Sequence, residues 1–188
     1  MNNNKDDIRR RIRARKQLVD DTERREAARR VFDRVRRMAA FVVAERVLLY
    51  HSLPDELSTI EFMERMQGKK KFFLPRVNGL NLEILPYERS RMHLGAFRIE
   101  EPTGDNTVDI SEIDLVIVPA VAFDRHGNRV GRGKGYYDRL LENCRALTIG
   151  VGYEFQLVDE IDAEEHDIPL DFVVTDRNAI IRGHKKRR

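Results

Sequence analysis

Apolar residues near the start of the chain recur three or four positions apart, which is the period of an amphipathic helix. Ile8 and Ile12 lie one helical turn apart, and Leu18 and Val19 continue the same stripe. This stretch predicts a short helix over residues 5–19.

A second stretch of the same period follows Thr22, a residue type that caps helix N-termini by accepting a backbone hydrogen bond. Its apolar residues, at three- and four-residue steps, are Ala27, Ala28, Val31, Val35, Met38 and Ala39. The spacing predicts a helix over about residues 23–38 or somewhat beyond.

Six short apolar runs come next, and we interpret them as strands because their side chains suit a sheet that is buried on both faces. They are VLLY (47–50), FFLP (72–75), LEIL (82–85), LVIVP (115–119), LTIGV (147–151) and FVV (172–174). Between them, Ser58 and Glu61 predict a capping box that opens a helix over 59–67, and residues 136–144 predict another helix. Residues 76–112 include a turn at NGLN and otherwise predict an irregular surface segment.

Strands that alternate with helices are typical of an α/β sheet that is largely parallel. We therefore predict a three-layer α/β fold, with a mostly parallel sheet flanked by helices and an N-terminal helical segment. A chain of 188 residues has the size of one domain. We assign that domain to residues 1–188, with a basic helix in residues 1–20 and a disordered basic tail in residues 182–188.

The composition is that of a soluble protein of the cytoplasm. Hydrophobic residues make up 41% of the chain and charged residues 36%. The single cysteine, Cys144, cannot form an internal disulfide, which indicates a reducing compartment. No apolar run approaches the ~20 residues of a membrane span, and the opening is too polar for a secretory signal. We expect a monomer or a weak dimer without a membrane partner.

The net charge of +3 is unevenly distributed. Residues 1–37 hold fourteen Lys or Arg against seven Asp or Glu, and residues 182–188 add five more cations. Basic ends on an acidic body suit a nucleic-acid partner, since clustered cations displace counterions from phosphates. Acidic side chains lie among the N-terminal arginines, however, and the basic clusters contain no interleaved aromatic residues to stack on bases. A nucleic-acid partner is therefore the weaker interpretation.

One segment, 127-GNRVGRGKGYYDR-139, concentrates glycine and positive charge in a long loop between a predicted strand and a predicted helix. Gly131, Gly133 and Gly135 let the backbone approach phosphate oxygens and adopt a positive φ where one is required. A loop that enters a helix also offers free N–H groups and the positive end of the helix dipole. Because ligands of parallel sheets bind beyond the carboxyl ends of strands, the segment predicts a phosphate site.

The charged residues of this segment indicate a nucleotide with a metal ion. Arg129 and Arg132 can each donate paired hydrogen bonds to a phosphate, and Lys134 adds a mobile charge. Asp138 would repel phosphate unless Mg²⁺ lay between them, since that ion binds carboxylate and phosphate oxygens together. The spacing fits neither a P-loop nor the dinucleotide fingerprint GxGxxG. A flexible glycine turn with incidental charge remains the alternative.

The run 118-VPAVAFDRHGNRVGRGKGYYDRLL-141 resembles the signature of the 5-formyltetrahydrofolate cyclo-ligase family. The resemblance extends over nearly the whole chain, through YHSLPDEL at 50–57, GAFRIEEP at 95–102 and HDIPLDFVVTD at 166–176. Ala120 departs from the glycine usual after the proline, and Asp55 departs from the GEV of many members. The resemblance implies ATP- and Mg²⁺-dependent conversion of 5-formyltetrahydrofolate to 5,10-methenyltetrahydrofolate, with release of ADP and phosphate.

The resemblance also implies roles for individual residues. The ATP contacts are Lys5, Arg9, Arg129, Val130, Gly131, Arg132, Gly133, Lys134, Gly135, Tyr136 and Tyr137. The contacts with the reduced folate are His51, Glu56, Arg132, Gly133, Lys134, Gly135 and Tyr136. The catalytic candidates are Lys134, Arg132 and Tyr136, and the metal ligands are Asp138 and Asp167.

These roles have a chemical basis. Lys134 and Arg132 would stabilise charge on a transferred phosphoryl group, and Tyr136 would position the formyl group or N10. The carboxylate of Glu56 can accept paired hydrogen bonds from the amino and ring N–H groups of a pterin.

Without the resemblance, several of these residues have ordinary explanations. Lys5 and Arg9 are typical of solvated charge, and Asp167 is typical of a surface turn. Two other functions fit parts of the pattern. One is a kinase or phosphotransferase for another small molecule, which only the phosphate loop supports, and the other is a nucleic-acid-binding homologue that uses the basic ends.

Overall fold

Short runs of buried aliphatic residues form the strands, as expected for side chains that pack on both faces of a sheet. The computed structural model describes residues 4–95 and 100–182. Its strands are β1 (Arg46–Leu48), β2 (Lys71–Asn78), β3 (Asn81–Pro86), β4 (Met92–Leu94), β5 (Glu100–Pro102), β6 (Leu115–Pro119), β7 (Ala122–Phe123), β8 (Arg129–Val130), β9 (Leu147–Gly152), β10 (Phe172–Thr175) and β11 (Ala179–Ile181). The centre of GAFRIEEP and residues 183–188 of the predicted tail lie outside the described residues.

Helices occupy the connections and the N-terminal region. They are α1 (Asn4–Lys16), α2 (Asp21–Val35), α3 (Ala39–Val43), α4 (Ile60–Met66) and α5 (Tyr136–Glu142), with short 3-10 helices at Arg89–Arg91, Ile110–Glu112 and Glu154–Gln156. No helix in the described part of the chain combines the length and the apolar character needed to cross a membrane.

Seven strands of the described chain form one sheet in the order β11-β10-β9-β6-β1-β2-β3. Strands β10, β9, β6, β1 and β2 run parallel to their neighbours, whereas β11 and β3 pair antiparallel at the two edges. Parallel strands need crossover connections, and α4 between β1 and β2 and α5 between β6 and β9 provide two of them. The predicted α/β class with a mostly parallel sheet is confirmed.

Successive residues of a strand face opposite layers of helices. Val47 packs in a cluster with Phe32 of α2 and Phe62 of α4, whose rings stack 4.6 Å apart. Leu48, the next residue, packs on the other face in a cluster with Leu141 of α5. The alternation follows the two-residue period of a strand and confirms the three layers.

Helix α1 lies outside these layers and packs on the β7–β8 hairpin. Its apolar stripe, Ile8 and Ile12, forms a buried cluster with Ala122 of β7 and Val130 of β8. Because β8 leads directly into the glycine loop, this cluster brings the N-terminal helix beside that loop.

Helices α1 and α2 confirm the two N-terminal helices but differ at their ends. α1 stops at Lys16, and Leu18, predicted to continue the apolar stripe, is 73% exposed. Asp20 rather than Thr22 caps α2, since its carboxylate accepts a hydrogen bond from the Glu23 amide at 2.8 Å. An acid at this position satisfies a free amide of the first turn, so the helix begins before Thr22.

The capping box predicted from Ser58 and Glu61 does not open α4. The helix begins at Ile60 without a side-chain cap, and the hydroxyl of the preceding Thr59 donates instead to the Tyr50 carbonyl at 2.7 Å. Thr59 is fully buried, and its hydroxyl satisfies a carbonyl that has no access to water. This bond ties the start of α4 to the loop that follows β1.

Two segments predicted to be irregular contain strands. NGLN is the turn of a hairpin and LEIL (82–85) lies in β3, both as predicted, but β2 extends to Asn78 and β4 pairs with β5. The loop after β6 contains the β7–β8 hairpin. The sequence prediction also lacks α3 and β11, which have five and three residues.

The buried carboxylate of Asp124 organises the β7–β8 turn. One of its oxygens accepts hydrogen bonds from the amides of His126, at 2.8 Å, and Asn128, at 2.9 Å. Gly127, between them, has a φ of +82°, and a Cβ there would lie 2.3 Å from the Leu170 carbonyl oxygen. Backbone conformation and lack of space therefore both require glycine at this position.

We predict that Gly127→Ala lowers the free energy of unfolding by about 3 kcal/mol, from left-handed strain plus the clash with a backbone carbonyl. Gly68→Ala is the matched control: Gly68 has a φ of +78°, with open space where a Cβ would lie. It should lose only about 1 kcal/mol. Urea denaturation of both variants measures the difference, and equal losses would contradict the steric argument.

Candidate active site

A cavity of about 530 Å³ opens at the carboxyl ends of β1, β2 and β6. The residues singled out from the sequence that line it are His51, Glu56, Arg129, Gly131, Arg132, Lys134, Gly135, Tyr136, Tyr137 and Asp138. A larger depression of about 900 Å³, elsewhere on the described surface, is lined by none of the sequence-predicted residues. Parallel strands bring their carboxyl ends to one edge of a sheet, which is why residues distant in sequence meet here.

The glycine loop, residues 131–135, joins β8 to α5 along one wall of the cavity. Gly133 has a φ of +98° and Gly135, the residue before α5, has a φ of +66°. Two of the three glycines of the loop thus adopt the positive φ that the sequence suggested. A Cβ at Gly131 or Gly133 would meet no atom within 4 Å, so the space beside the backbone is open. Residues 131–134 are exposed, and a ligand can therefore contact the loop directly.

Arg129, at the start of this wall, is held by protein groups. Its guanidinium donates to Asp138 Oδ1 and to the Ile168 carbonyl, each at 2.5 Å, and its side chain is 4% exposed. Burial lowers the pKa of Arg129, and the carboxylates of Asp138 and Asp167 oppose that shift. Arg129 therefore links β8, α5 and the segment before β10 in addition to lining the cavity.

Helix α1 supplies two further predicted residues, which contact the site from outside the cavity lining. Lys5 Nζ lies 2.6 Å from Asp167 Oδ2 and 3.2 Å from Glu164 Oε1. Arg9 Nε donates to the Gly131 carbonyl at 2.9 Å. The packing of α1 on the hairpin thus places Arg9 against the glycine loop and Lys5 against Asp167, although nothing local in the sequence predicts these contacts.

The opposite wall is acidic and belongs to the loop after β1. Arg132 Nη2 donates to Asp55 Oδ1 at 2.6 Å and to Glu56 Oε1 at 3.1 Å. Glu56 Oε2 accepts from the Leu53 amide at 3.0 Å, and its side chain is only 11% exposed. Asp55 Oδ2 lies 3.3 Å from Lys16 Nζ.

Two tyrosines of α5 lie between the walls. The Tyr136 hydroxyl lies 3.4 Å from the Gly79 carbonyl, and the Arg139 guanidinium lies over its ring. The buried Tyr137 hydroxyl has no hydrogen-bond partner in the described part of the chain. Burial raises the pKa of Tyr137, so its phenol is neutral and keeps its proton.

The two predicted metal ligands both lie near the Arg129 guanidinium, since Asp138 bonds to it and Asp167 acts on it electrostatically. Each is engaged in an ion pair, Asp138 with Arg129 and Asp167 with Lys5. In residues 4–95 and 100–182, no group of three or more His, Cys, Asp or Glu is arranged to hold a metal ion.

His51 lines the cavity at the end of β1 and lies 3.2 Å, through Nε2, from Glu100 Oε2 of β5. Burial lowers the pKa of His51, and the negative charge of Glu100 only partly offsets that shift. The imidazole is therefore neutral at pH 7.

Comparison with known proteins identifies the family. The model of the 5-formyltetrahydrofolate cyclo-ligase family matches residues 1–176. The chain belongs to this family.

Individual cyclo-ligase relatives agree. The 5-formyltetrahydrofolate cyclo-ligase of Escherichia coli strain K12 is 32% identical over 174 residues, which cover 87% of this chain and 96% of that protein. The structure of Aquifex aeolicus 5,10-methenyltetrahydrofolate synthetase is 30% identical, with a TM-score of 0.88 over 98% of this chain and 95% of that one. The Mycoplasma pneumoniae 5,10-methenyltetrahydrofolate synthetase, 23% identical, shares the fold with a TM-score of 0.74, over 92% of this chain and 99% of that one. The family and the enzyme class predicted from the sequence are confirmed.

Sequence reasoning missed three residues at this cyclo-ligase site. Asp55 could have been noticed, because it precedes Glu56 directly. Glu101 lines the cavity and is 5% exposed, and Lys16 is equally buried at the end of α1. No local pattern signals the burial of those two charges.

We predict that His51→Gln weakens the pH dependence of stability. Because the folded-state pKa is lowered, the unfolded chain binds the His51 proton more readily, and wild-type stability falls as the pH drops below about 6.5. Glutamine does not titrate. Urea denaturation at about pH 7.5 and about pH 5.5 should show a larger loss for wild type than for His51→Gln. The same loss in both proteins would refute the assignment.

Proposed function

We propose that the protein catalyses the ATP- and Mg²⁺-dependent cyclisation of 5-formyltetrahydrofolate to 5,10-methenyltetrahydrofolate, with release of ADP and phosphate. The observation that carries the proposal is the two-sided cavity. A cationic glycine loop forms one wall, Glu56 lies on the other, and Tyr136 lies between them. A phosphoryl donor and a pterin can therefore meet in one enclosed space.

The phosphate side is supported by backbone and charge. The exposed loop at 131–134 presents backbone beside open space, and α5 begins directly after it. Lys134 has no ion-pair partner in the described residues and is free to approach a phosphate. Arg132, whose guanidinium reaches the opposite wall, adds a second charge that can follow the transferred group.

The pterin side is supported by Glu56 and its surroundings. The carboxylate is nearly buried, so its hydrogen bonds are strong and directional. A pterin's amino and ring N–H groups form a pair of parallel donors that suits it. Apolar side chains nearby, Leu53, Val77 and Leu82, offer a surface for the ring.

The chemistry needs an activated formyl oxygen, which by itself is a poor leaving group. Transfer of the γ-phosphoryl group to that oxygen breaks the bond to ADP and leaves a phosphate ester on the formyl carbon. N10 then attacks the carbon and loses its proton, and the C–O bond to phosphate breaks as the five-membered ring closes. In both steps Lys134 and Arg132 stabilise developing charge, while Tyr136 holds the reacting atoms together.

Asp138 and Asp167 are the residues that would hold Mg²⁺. Both carboxylates act electrostatically on the Arg129 guanidinium, and an ion held by them would take its remaining ligands from phosphate oxygens and water, because they do not form a complete protein cage. The ion would neutralise triphosphate charge. The bonds to Arg129 and Lys5 are made by Asp138 Oδ1 and Asp167 Oδ2, so the other oxygen of each carboxylate is the one that would bind the ion.

The defining experiment measures ATP hydrolysis and methenyl absorbance in parallel. We expect hydrolysis only when 5-formyltetrahydrofolate and Mg²⁺ are both present, with one methenyl product formed for each ADP released. Hydrolysis without the folate, or a flat absorbance trace, would overturn the proposal and favour a phosphotransferase acting on another molecule.

We further predict that Lys134→Met lowers kcat by about 1000-fold, because it removes a charge that acts on the transferred phosphoryl group. The melting temperature should change by less than about 2 °C, since the side chain is exposed and contributes little to the core. Lys69→Met, at an exposed lysine outside the cavity, is the control and should leave both values unchanged. A large drop in melting temperature for Lys134→Met would indicate a structural role instead.

A further inference from the structure

Arg132 is shared between two adjacent carboxylates, and the two contacts differ. Nη2 lies 2.6 Å from Asp55 Oδ1, whereas the contacts with Glu56 Oε1 are longer, 3.1 Å from Nη2 and 3.3 Å from Nε. Glu56 is nearly buried at 11% exposure, and Asp55 is 43% exposed. The guanidinium thus has a shorter bond to the more exposed acid.

Asp55 is held on its other side by the end of α1. Its Oδ2 lies 3.3 Å from the Nζ of Lys16, whose side chain is 6% exposed. Burial lowers the pKa of Lys16, and the charge of Asp55 opposes this shift. Partial burial raises the pKa of Asp55, but Lys16 and Arg132 outweigh it, so the carboxylate remains ionised at neutral pH.

The backbone around Asp55 is also anchored. Arg24 donates to the Pro54 carbonyl at 2.7 Å and to the Lys16 carbonyl at 2.8 Å. A single side chain of α2 therefore joins the loop that carries Asp55 to the end of α1. The loop that carries Asp55 is thus held in place by hydrogen bonds from Arg24.

The hydrogen bonds of Arg132 to Asp55 and Glu56 cannot all persist when a pterin binds Glu56. The Glu56 carboxylate has about four acceptor positions, of which the Leu53 amide takes one and Arg132, through Nε and Nη2, takes two. If a pterin takes two positions, Arg132 must give up at least one of its bonds to Glu56, while its bond to Asp55 is unaffected.

We propose that Asp55 is a positioning residue that retains Arg132 at the cavity when the pterin takes Glu56. This inference rests on the proposed function, which places the pterin at Glu56 and the phosphoryl group near Arg132. Asp55 itself touches neither reactant. It keeps the guanidinium from swinging into solvent, so that the charge is in place when the phosphoryl group moves.

A purely structural role predicts little effect on catalysis. Arg132 and Asp55 are 46% and 43% exposed, so their ion pair contributes little to stability, whereas the Lys16 ammonium that also pairs with Asp55 is only 6% exposed and can make Asp55 important for folding. Kinetics therefore separate the two explanations better than melting does.

The test compares steady-state kinetics of Asp55→Asn and Glu56→Gln in the full-length protein. For Asp55→Asn we expect kcat to fall about tenfold while KM for 5-formyltetrahydrofolate stays within about twofold, because Glu56 is intact. For Glu56→Gln we expect KM for the folate to rise at least about 30-fold, because a charged acceptor for the pterin is lost. Asp55→Glu, which restores the carboxylate, should recover most of the lost kcat.

Asp33→Asn is the matched control. Asp33 also pairs with two cations, Arg36 at 2.9 Å and Arg65 at 3.4 Å, but lies on α2 away from the cavity. It should retain wild-type kcat and KM. If Asp55→Asn is unfolded because Lys16 loses its counter-charge, the Lys16→Met/Asp55→Asn variant removes the buried ammonium as well and carries the same expectations.

Two results would overturn the inference. One is wild-type kcat in folded Asp55→Asn, and the other is a raised folate KM with unchanged kcat, which would make Asp55 a substrate contact. Failure of the proposed function would look different, since wild type itself would then form no methenyl product.

Discussion

The buried ion pair between Arg129 and Asp138 is the interaction on which the site depends. A guanidinium that is 4% exposed must be paired, because an isolated charge removed from water is strongly unfavourable. Its bonds to Asp138 and to the Ile168 carbonyl tie three separate elements together: β8, α5 and the segment before β10. The glycine loop joins β8 to α5, so the contact between Arg129 and Asp138 fixes the positions of both ends of the loop.

Helix α1 adds two more cations beside the Arg129–Asp138 pair and the glycine loop. Lys5 pairs with Asp167, next to the residue whose carbonyl binds Arg129, and Arg9 binds the Gly131 carbonyl. Apolar packing of Ile8 and Ile12 on the hairpin holds the helix in place. The N-terminal segment is therefore part of the site through both hydrophobic burial and charge.

Most cations of the site are compensated by carboxylates. Arg129 has Asp138, Lys5 has Asp167, and Arg132 has Asp55 and Glu56. This pairing lowers the repulsion among neighbouring cations of the site. In the reaction we propose, the triphosphate binds cations that are now paired with carboxylates, and the pterin binds Glu56, which is now paired with Arg132. Arg132 therefore takes part in both binding events.

The chain's local patterns determined the strand runs, the two N-terminal helices and the position of the glycine loop before α5, because hydrophobic period and glycine spacing act over a few residues. They could not determine that Asp20 rather than Thr22 begins α2, or that Thr59 turns to the Tyr50 carbonyl, since both depend on which polar group is nearest in space. Likewise, only the tertiary structure joined Lys16, Asp55 and Arg132. Side chains far apart in sequence meet there because a parallel sheet gathers the ends of its strands at one edge, while α1 folds back onto that edge to bury its apolar stripe.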